Sequence, residues 1–369
     1  MKNFLIVFAV VLFTIPAICD EIDGVDGKKE RIMRFYYENG NVFLETPYKD
    51  GKKEGIQRSY YENGNLESEI SYKDGKREGI AKHYYENGKL QFETSSKPEG
   101  ISRLYYESGK LWAEAPFSGT LGINFVNAKP EIIQLLRYDI RPANGIKADG
   151  TVKKYYENGN LLSETPYKES KWEGIVKSYY ESGKLKSETS YKDSDLDGLS
   201  RDYYENGKLK SETSYKDGDL DGLSRSYFEN GNLRHEAPYK DGKPEGTVKF
   251  YYESGKLKSE TSYKDSDLDG LSRDYYESGN LRYEAPYKDG KPEGTGKFYY
   301  ESGQLENEAF YKDGAAEYVQ RYDESGRLLW KALYRDNELS SGVCGNGRAF
   351  TEEDIINWPN VSCEQDLPQ

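Results

Sequence analysis

Residues 203–222 read YYENGKLKSETSYKDGDLDG; a near copy, YYESGKLKSETSYKDSDLDG, occupies 179–198 and returns letter for letter at 251–270. Within it, Leu209, Ser211, Thr213 and Tyr215 alternate with Lys208, Lys210, Glu212, Ser214 and Lys216. That period of two is the mark of a half-buried strand. The preceding GLSRDYYE, residues 198–205, ends in paired aromatics that suit a second strand. Asn206-Gly207 between them predicts a two-residue type I′ hairpin turn, because both residue types tolerate positive φ. KDGDLDG then turns the chain into the next copy. Two strands and two turns use the whole copy and leave nothing for a helix.

The motif Tyr-Tyr-Glu-(Asn/Ser)-Gly, with small variants, begins at residues 36, 60, 84, 105, 155, 179, 203, 227, 251, 275, 299 and 322, mostly in steps of 24. Between 105 and 155 the step is two periods. There LRYDIRPANGIKADGT at 136–151 aligns with LRYEAPYKDGKPEGT at 281–295 apart from one inserted residue. Residues 117–150 are therefore expected to hold a degenerate copy. A short period of this kind signals a repeat array in which each copy contacts its neighbours. The expected fold is all-β, an elongated array of about 13 antiparallel β-hairpins over residues 20–335, with a short C-terminal cap or tail over 336–369. Strands about 4.8 Å apart would make such an array on the order of 120 Å long. One hairpin cannot bury its own face, so tyrosines stacking on their equivalents in adjacent copies are expected to supply the cohesion.

Composition agrees. The chain has 369 residues, with 35 Tyr and 37 Gly against 2 Met and 13 Phe, and a mean hydropathy of -0.94. There is too little Leu, Ile and Val for a large globular core, yet regularly spaced tyrosines between turn residues argue against disorder. The net charge of -13 is spread evenly along the copies. A uniformly acidic surface repels phosphates, which excludes nucleic acid as the expected partner.

Lys2 precedes an apolar run from Phe4 to Ile15 and a small-residue exit at Ala17-Ile18-Cys19. Residues 1–19 thus read as a secretory signal peptide cut after Ala17 or Cys19, and the chain as exported to the periplasm, cell surface or medium. A second reading makes Cys19 a lipidated N-terminus, although Ile18 is bulky for the position before it. Cys344 and Cys363 either close a disulfide in an oxidising compartment or stay free thiols in a tail.

Repeats of the form G-I-x-K-x-Y-Y-E-N-G-K-L-x-x-E-x-x-Y-K-D-G resemble the bacterial variant of the MORN repeat, from residue 31 to about 335. The resemblance implies a β-hairpin array used for binding or scaffolding. Many bacterial proteins built this way are described as antitoxins of the YwqK type, which implies a partner toxin and sits awkwardly with export. MORN repeats are also found fused to plant phosphatidylinositol phosphate kinases. This chain has no Gly-rich phosphate loop and no kinase signature, so that activity does not transfer.

Candidate chemistry is sparse. His83 and His235 fall in different copies and read as substitutions on strand surfaces. No nucleophile elbow or HExxH occurs, and the chain reads as non-enzymatic, with no cofactor. DSDLDG at 193–198 and 265–270, with DGDLDG at 217–222, contains the D-x-D-x-D-G opening of many calcium loops. Its carboxylates are Asp193, Asp195 and Asp197; Asp217, Asp219 and Asp221; Asp265, Asp267 and Asp269. Position twelve of such a loop is Tyr204, Phe228 or Tyr276 instead of Glu, and Asp-Gly also suits a plain turn, so two readings stand. The tyrosines likewise read as internal stacking or as exposed rings for sugars, choline-like cations or lipid headgroups. Near the end, FTEEDIINW suggests a short helix capped by Thr351 and Asp354. The expected function is an exported binding or scaffolding surface for a protein partner. The alternatives are a cell-wall glycan or membrane-headgroup module and a neutraliser of a toxin.

Overall fold

The computed structural model describes residues 18–23, 29–97, 100–116, 149–336, 338–356, 359 and 363. The degenerate copy expected at 117–150 lies almost wholly outside them, as do residues 1–17 of the expected signal peptide. Two compact units divide the chain, residues 1–184 and 185–369. Both are built from antiparallel hairpins in sequence order; among the described residues the one helix is Glu352–Ile356. No described helix is long and apolar enough to cross a membrane.

The second unit displays the repeat most clearly. Leu209–Lys216 pairs backwards with Asp195–Tyr203 and forwards with Asp219–Tyr227. The same meander continues through Leu233–Lys240, Gly246–Tyr251, Leu257–Lys264, Asp267–Tyr275, Leu281–Lys288, Gly294–Tyr299, Leu305–Lys312, Ala315–Tyr322 and Leu328–Arg335. In the first unit, hairpins run from Lys29–Tyr36 to Leu111–Ala115 and resume at Gly150–Tyr155. Ile18–Asp23 pairs with Lys29–Arg34 ahead of them.

The type I′ turn expected at Asn206-Gly207 is not found there. Asn206 keeps a negative φ, and only Gly207 (φ 87°) is left-handed. Gly207 N donates to Tyr204 O at 2.8 Å, and Tyr204 N to Lys208 O at 2.8 Å. This is a three-residue loop, a type I turn closed by a left-handed glycine, with a bulge between Asp202 and Tyr203. Asn206 serves through its side chain, whose Oδ1 accepts the Lys208 amide at 2.9 Å. The type I′ turn instead falls on Asp217 (φ 49°) and Gly218 (φ 93°), between the paired Lys216 and Asp219.

Tyrosines join neighbours through their hydroxyls. The second tyrosine of a copy donates to the carbonyl of the first tyrosine of the next: Tyr204 to Tyr227 O at 2.7 Å, Tyr252 to Tyr275 O at 2.7 Å, Tyr276 to Tyr299 O at 2.8 Å. In the first unit Tyr37, Tyr61 and Tyr156 do the same to Tyr60, Tyr84 and Tyr179. The first tyrosine reaches back to the preceding copy's glutamate, as Tyr203 does to Glu188 at 2.8 Å. This hydroxyl network corrects the expectation that ring stacking supplies the cohesion: the half-buried phenols add inter-repeat hydrogen bonds.

No thick core forms. Besides Trp330 and Cys344 towards its end, the second unit buries a row of small residues, Ala237, Ala285, Ala309 and Ala332, with Val248. A Cβ built on Gly296 in that row would lie 3.5 Å from the Tyr311 ring, so that ring lies over the row there. Where the row is polar, hydroxyls pair across strands, Thr213 with Ser224 at 3.1 Å and Thr261 with Ser272 at 3.0 Å. The first unit adds a small apolar cluster of Phe92, Leu104, Ala113, Ala115, Val152 and Tyr167, flanked by Trp112 and Trp172.

The array runs past residue 335, where the sequence reading ends it. Glu338–Cys344 pairs with Leu328–Arg335. Cys344-Gly-Asn-Gly-Arg348 then repeats the tyrosine turn: Cys344 N donates to Arg348 O, Gly347 N to Cys344 O, and Asn346 Oδ1 accepts the Arg348 amide. Gly345 is required there, since a Cβ would come within 1.8 Å of the Leu328 carbonyl oxygen. The helix that follows is capped reciprocally: Asp354 N donates to Thr351 Oγ1 at 3.2 Å, and Thr351 N to Asp354 Oδ2 at 2.8 Å.

Candidate functional site

Because strand partners are in register, equivalent residues of successive copies form rows across each unit, and the rows define what the surface offers. On one face of the second unit Glu188, Arg201, Glu212, Arg225 and Glu236 follow one another, strand by strand. Each arginine bridges two glutamates: Arg201 Nε lies 2.6 Å from Glu212 and its Nη1 3.3 Å from Glu188. Arg225 reaches Glu236 at 2.7 Å, and Arg273 spans Glu260 and Glu284 at 3.3 and 3.5 Å. In the first unit Arg58 joins Glu69 and Glu45, and Arg103 joins Glu93 and Glu114. Alternating signs on directly opposed positions are the stabilising arrangement for a sheet. These half-exposed pairs contribute modestly, since water screens them.

Tyrosine hydroxyls complete the row. Tyr203 donates to Glu188, Tyr275 to Glu260 at 2.9 Å and Tyr84 to Glu69 at 3.1 Å. Burial, and then the bond to Glu188, push the Tyr203 phenol up to about 12. Burial and then the charge and hydrogen bond of Glu69 do the same for Tyr84. The tyrosine protons of the row are thus held more tightly than in free phenols.

Two positions before each arginine or lysine, on the same face, stands an aliphatic side chain that is not covered. Ile56, Ile80, Ile101 and Ile175 occupy this slot in the first unit, and Leu199, Leu223 and Leu271 in the second; all are exposed. Thr151, Thr247 and Thr295 fill it elsewhere. Sequence reading missed this stripe because the strand GLSRDYYE looked indistinct on both faces. The signal was present as an aliphatic residue directly after the glycine of seven copies.

The candidate carboxylates take up turn and strand positions. Asp193, Asp217 and Asp265 are the first left-handed residue of the type I′ turns. Asp195, Asp219 and Asp267 pair with Lys192, Lys216 and Lys264 at the start of the next strand. Asp197, Asp221 and Asp269 stand in the slot where Glu54, Glu245 and Glu293 accept the amide of the following turn's aspartate, as Glu245 does from Asp265 N at 2.8 Å. Among the described residues no three His, Cys, Asp or Glu side chains come together to hold a metal ion.

His83 and His235 hold different repeat positions: His83 precedes the first tyrosine of its copy and pairs with Ser68 and Phe92, whereas His235 lies on a returning strand and pairs with Ser226 and Phe250. His83 stacks on Phe92 at 5.1 Å, and His235 tilts against Phe250 at 4.5 Å. Burial lowers both imidazole pKa values. Cys344 and Cys363 are joined in a disulfide.

Comparison with known proteins follows the same repeats. The model of the MORN repeat variant matches residues 32–50, 53–74, 77–97, 98–118, 148–169, 172–193, 196–217, 220–241, 244–265, 268–289 and 292–313. None of the curated proteins matches the chain. Among solved structures, TcdB2-TccC3-TEV is 12% identical over 85% of this chain, with a TM-score of 0.16. TcdB2-TccC3 without its hypervariable C-terminal region is 12% identical over 89%, with a TM-score of 0.14. This chain spans 20% and 23% of those two chains. With the variant repeat matched over more than half its length, the chain belongs to the MORN repeat variant family.

Proposed function

We propose that this chain works without catalysis, as an exported array whose aliphatic-and-charged face binds a partner protein. The observation that supports this reading is the stripe of Leu199, Leu223 and Leu271 in the second unit, and separately that of Ile56, Ile80, Ile101 and Ile175 in the first, left exposed beside the glutamate–arginine rows. Exposed apolar side chains repeated at one slot and rimmed by charge are the usual mark of a protein contact. Within each unit the slot recurs every second strand, about 9.6 Å apart, with threonine taking the aliphatic residue's place at 151, 247 and 295, so affinity would build from several small contacts. Export rests on the apolar run from Phe4 to Ile15. Neutralising a toxin is one form this protein contact could take.

The test uses the full chain and the triple variant Leu199→Thr, Leu223→Thr, Leu271→Thr. Threonine is native to that slot at 151, 247 and 295, so the frame is kept. The wild type is expected to capture a defined protein from envelope extracts, and the triple variant to lose at least about tenfold of that capture. Equal capture by both chains refutes the assignment. Fractionation of cells expressing the intact chain checks export, and retention in the cytoplasm refutes it.

A further inference from the structure

In an array this uniform, the slots where copies depart from one another isolate what the frame does not need. On the face opposite the glutamate–arginine rows, one row in the second unit runs through Ser187, Asp202, Ser211 and Ser226, all small and polar. It then changes character. The next positions, each directly opposed to the last, are His235, Phe250, Ser259, Asp274, Tyr283, Phe298 and Asn307. Two aromatic pairs therefore stand in this row with one serine and one aspartate between them.

The pairs are built alike. His235 and Phe250 have ring centroids 4.5 Å apart at 43°, and Tyr283 and Phe298 4.5 Å apart at 40°. In each pair the phenylalanine is the more open ring, Phe250 at 44% and Phe298 at 41% exposure. In both copies the adjoining row changes in step: Ala237 with Val248 and Ala285 with Gly296 replace the hydroxyl pairs found beside the polar stretch. An aromatic pair beside an apolar floor thus occurs twice, two repeats apart. The two phenylalanines are four strands apart, about 19 Å.

We propose that this row is a binding site for a neutral, linear polysaccharide. The C–H face of a pyranose packs on an aromatic ring, and its hydroxyls bond to polar groups at the ring's rim. Phe250 and Phe298 supply two ring faces, and Ser259 and Asp274 supply an acceptor and a donor between them. The site is one residue wide and spans five strands, which fits an extended chain better than a globular surface. Asp274 and Asp202 in the row, and the net charge of -13, disfavour a polyanion. This inference stands independently of the aliphatic stripe, which lies on the other face.

The experiment compares the full chain with its Phe250→Ser, Phe298→Ser double variant. Serine is the native residue of this slot at 226, so the double variant returns the row to the array's own pattern and is expected to unfold at the same midpoint. Leu223→Thr serves as a control on the opposite face. Probes are insoluble cellulose and chitin, soluble hydroxyethyl cellulose in affinity gels, dextran sulfate and immobilised phosphocholine. The proposal expects retention on at least one of the three neutral polysaccharides, weakened about tenfold or more in the double variant and unchanged in Leu223→Thr. It is overturned by no retention on any neutral polysaccharide or by equal retention of the double variant. Retention confined to dextran sulfate or phosphocholine also overturns it.

Discussion

Replacing Tyr204 by phenylalanine removes one oxygen and keeps the ring. That oxygen donates to the Tyr227 carbonyl of the next copy at 2.7 Å in a half-buried setting. The ring contact survives the change: Lys210 lies 5.9 Å over the Tyr204 ring, and Arg234 lies 5.8 Å over Phe228, the phenylalanine that already occupies this slot one copy later. The loss is thus one net hydrogen bond, about 1 kcal/mol, or roughly a fivefold change in the unfolding equilibrium. The array supplies the reverse experiment. Phe228 closes the same turn, with its amide on Asn232 O and Gly231 N on its carbonyl, both at 2.9 Å. Phe228→Tyr is expected to place a hydroxyl on the Tyr251 carbonyl and gain about 1 kcal/mol. Equilibrium urea unfolding, followed by circular dichroism, reads both. If ring stacking carried the cohesion, both variants would be neutral. Shifts below about 0.3 kcal/mol in either direction would refute the hydroxyl ladder.

Three further outcomes can be checked. Gly207→Ala is expected to cost about 1–2 kcal/mol, because its φ of 87° is left-handed, whereas Gly296→Ala should stabilise by about 0.5–1 kcal/mol, its new Cβ meeting Ala285 and Tyr311 at 3.4 and 3.5 Å; calorimetry separates the signs. The Cys344–Cys363 link closes a loop of 19 residues, so the Cys344→Ser, Cys363→Ser variant should lose about 3 kcal/mol of local stability. Hydrogen exchange should place that loss in residues 338–356. Half-buried tyrosines such as Tyr61, Tyr84, Tyr155 and Tyr203 bind their protons more tightly folded than unfolded, with folded values of about 12 against 10.0. Their contribution is complete below pH 10 and is lost as pH rises towards about 12, so alkaline unfolding should coincide with phenolate absorbance. Stability flat through that range would contradict the burial of these phenols.

Much of the fold was legible because the period of two in KLKSETSYK and the glycine-marked turns are local signals. The turn types were not. Asn-Gly and Asp-Gly both tolerate a type I′ turn, and the choice between them depends on the neighbouring copy, which takes Asn39 and Asn41 Nδ2 on the Glu62 carbonyl. The role of tyrosine was half legible. Spacing gave its regular placement, but the phenol's acceptor lies 23 residues away, in the next copy. The rows of the candidate surfaces were hidden for the same reason. Arg201 belongs with Glu188 and Glu212 only once the strand register is known. Cys344 in a tyrosine slot was missed because the turn around it keeps glycine and asparagine while losing both aromatics.

The slots differ in what variation costs, and that difference says where function can reside. A change in the glutamate–arginine row breaks bonds on two sides, since Arg201 holds Glu188 and Glu212 together. A change in the second tyrosine breaks one bond, and the chain tolerates it at Phe228, Asp323 and Cys344. Residues 250 and 298 take part in neither network: the bonds that close their copies come from Tyr252, donating to Tyr275 O, and from Tyr300, donating to Tyr322 O. The array can therefore carry serine, aspartate or phenylalanine in that slot without loosening the copies on either side. In a quasi-one-dimensional fold, stability is a sum over neighbouring interfaces, and a slot outside the two bonded networks of those interfaces is where ligand-binding side chains accumulate at least cost.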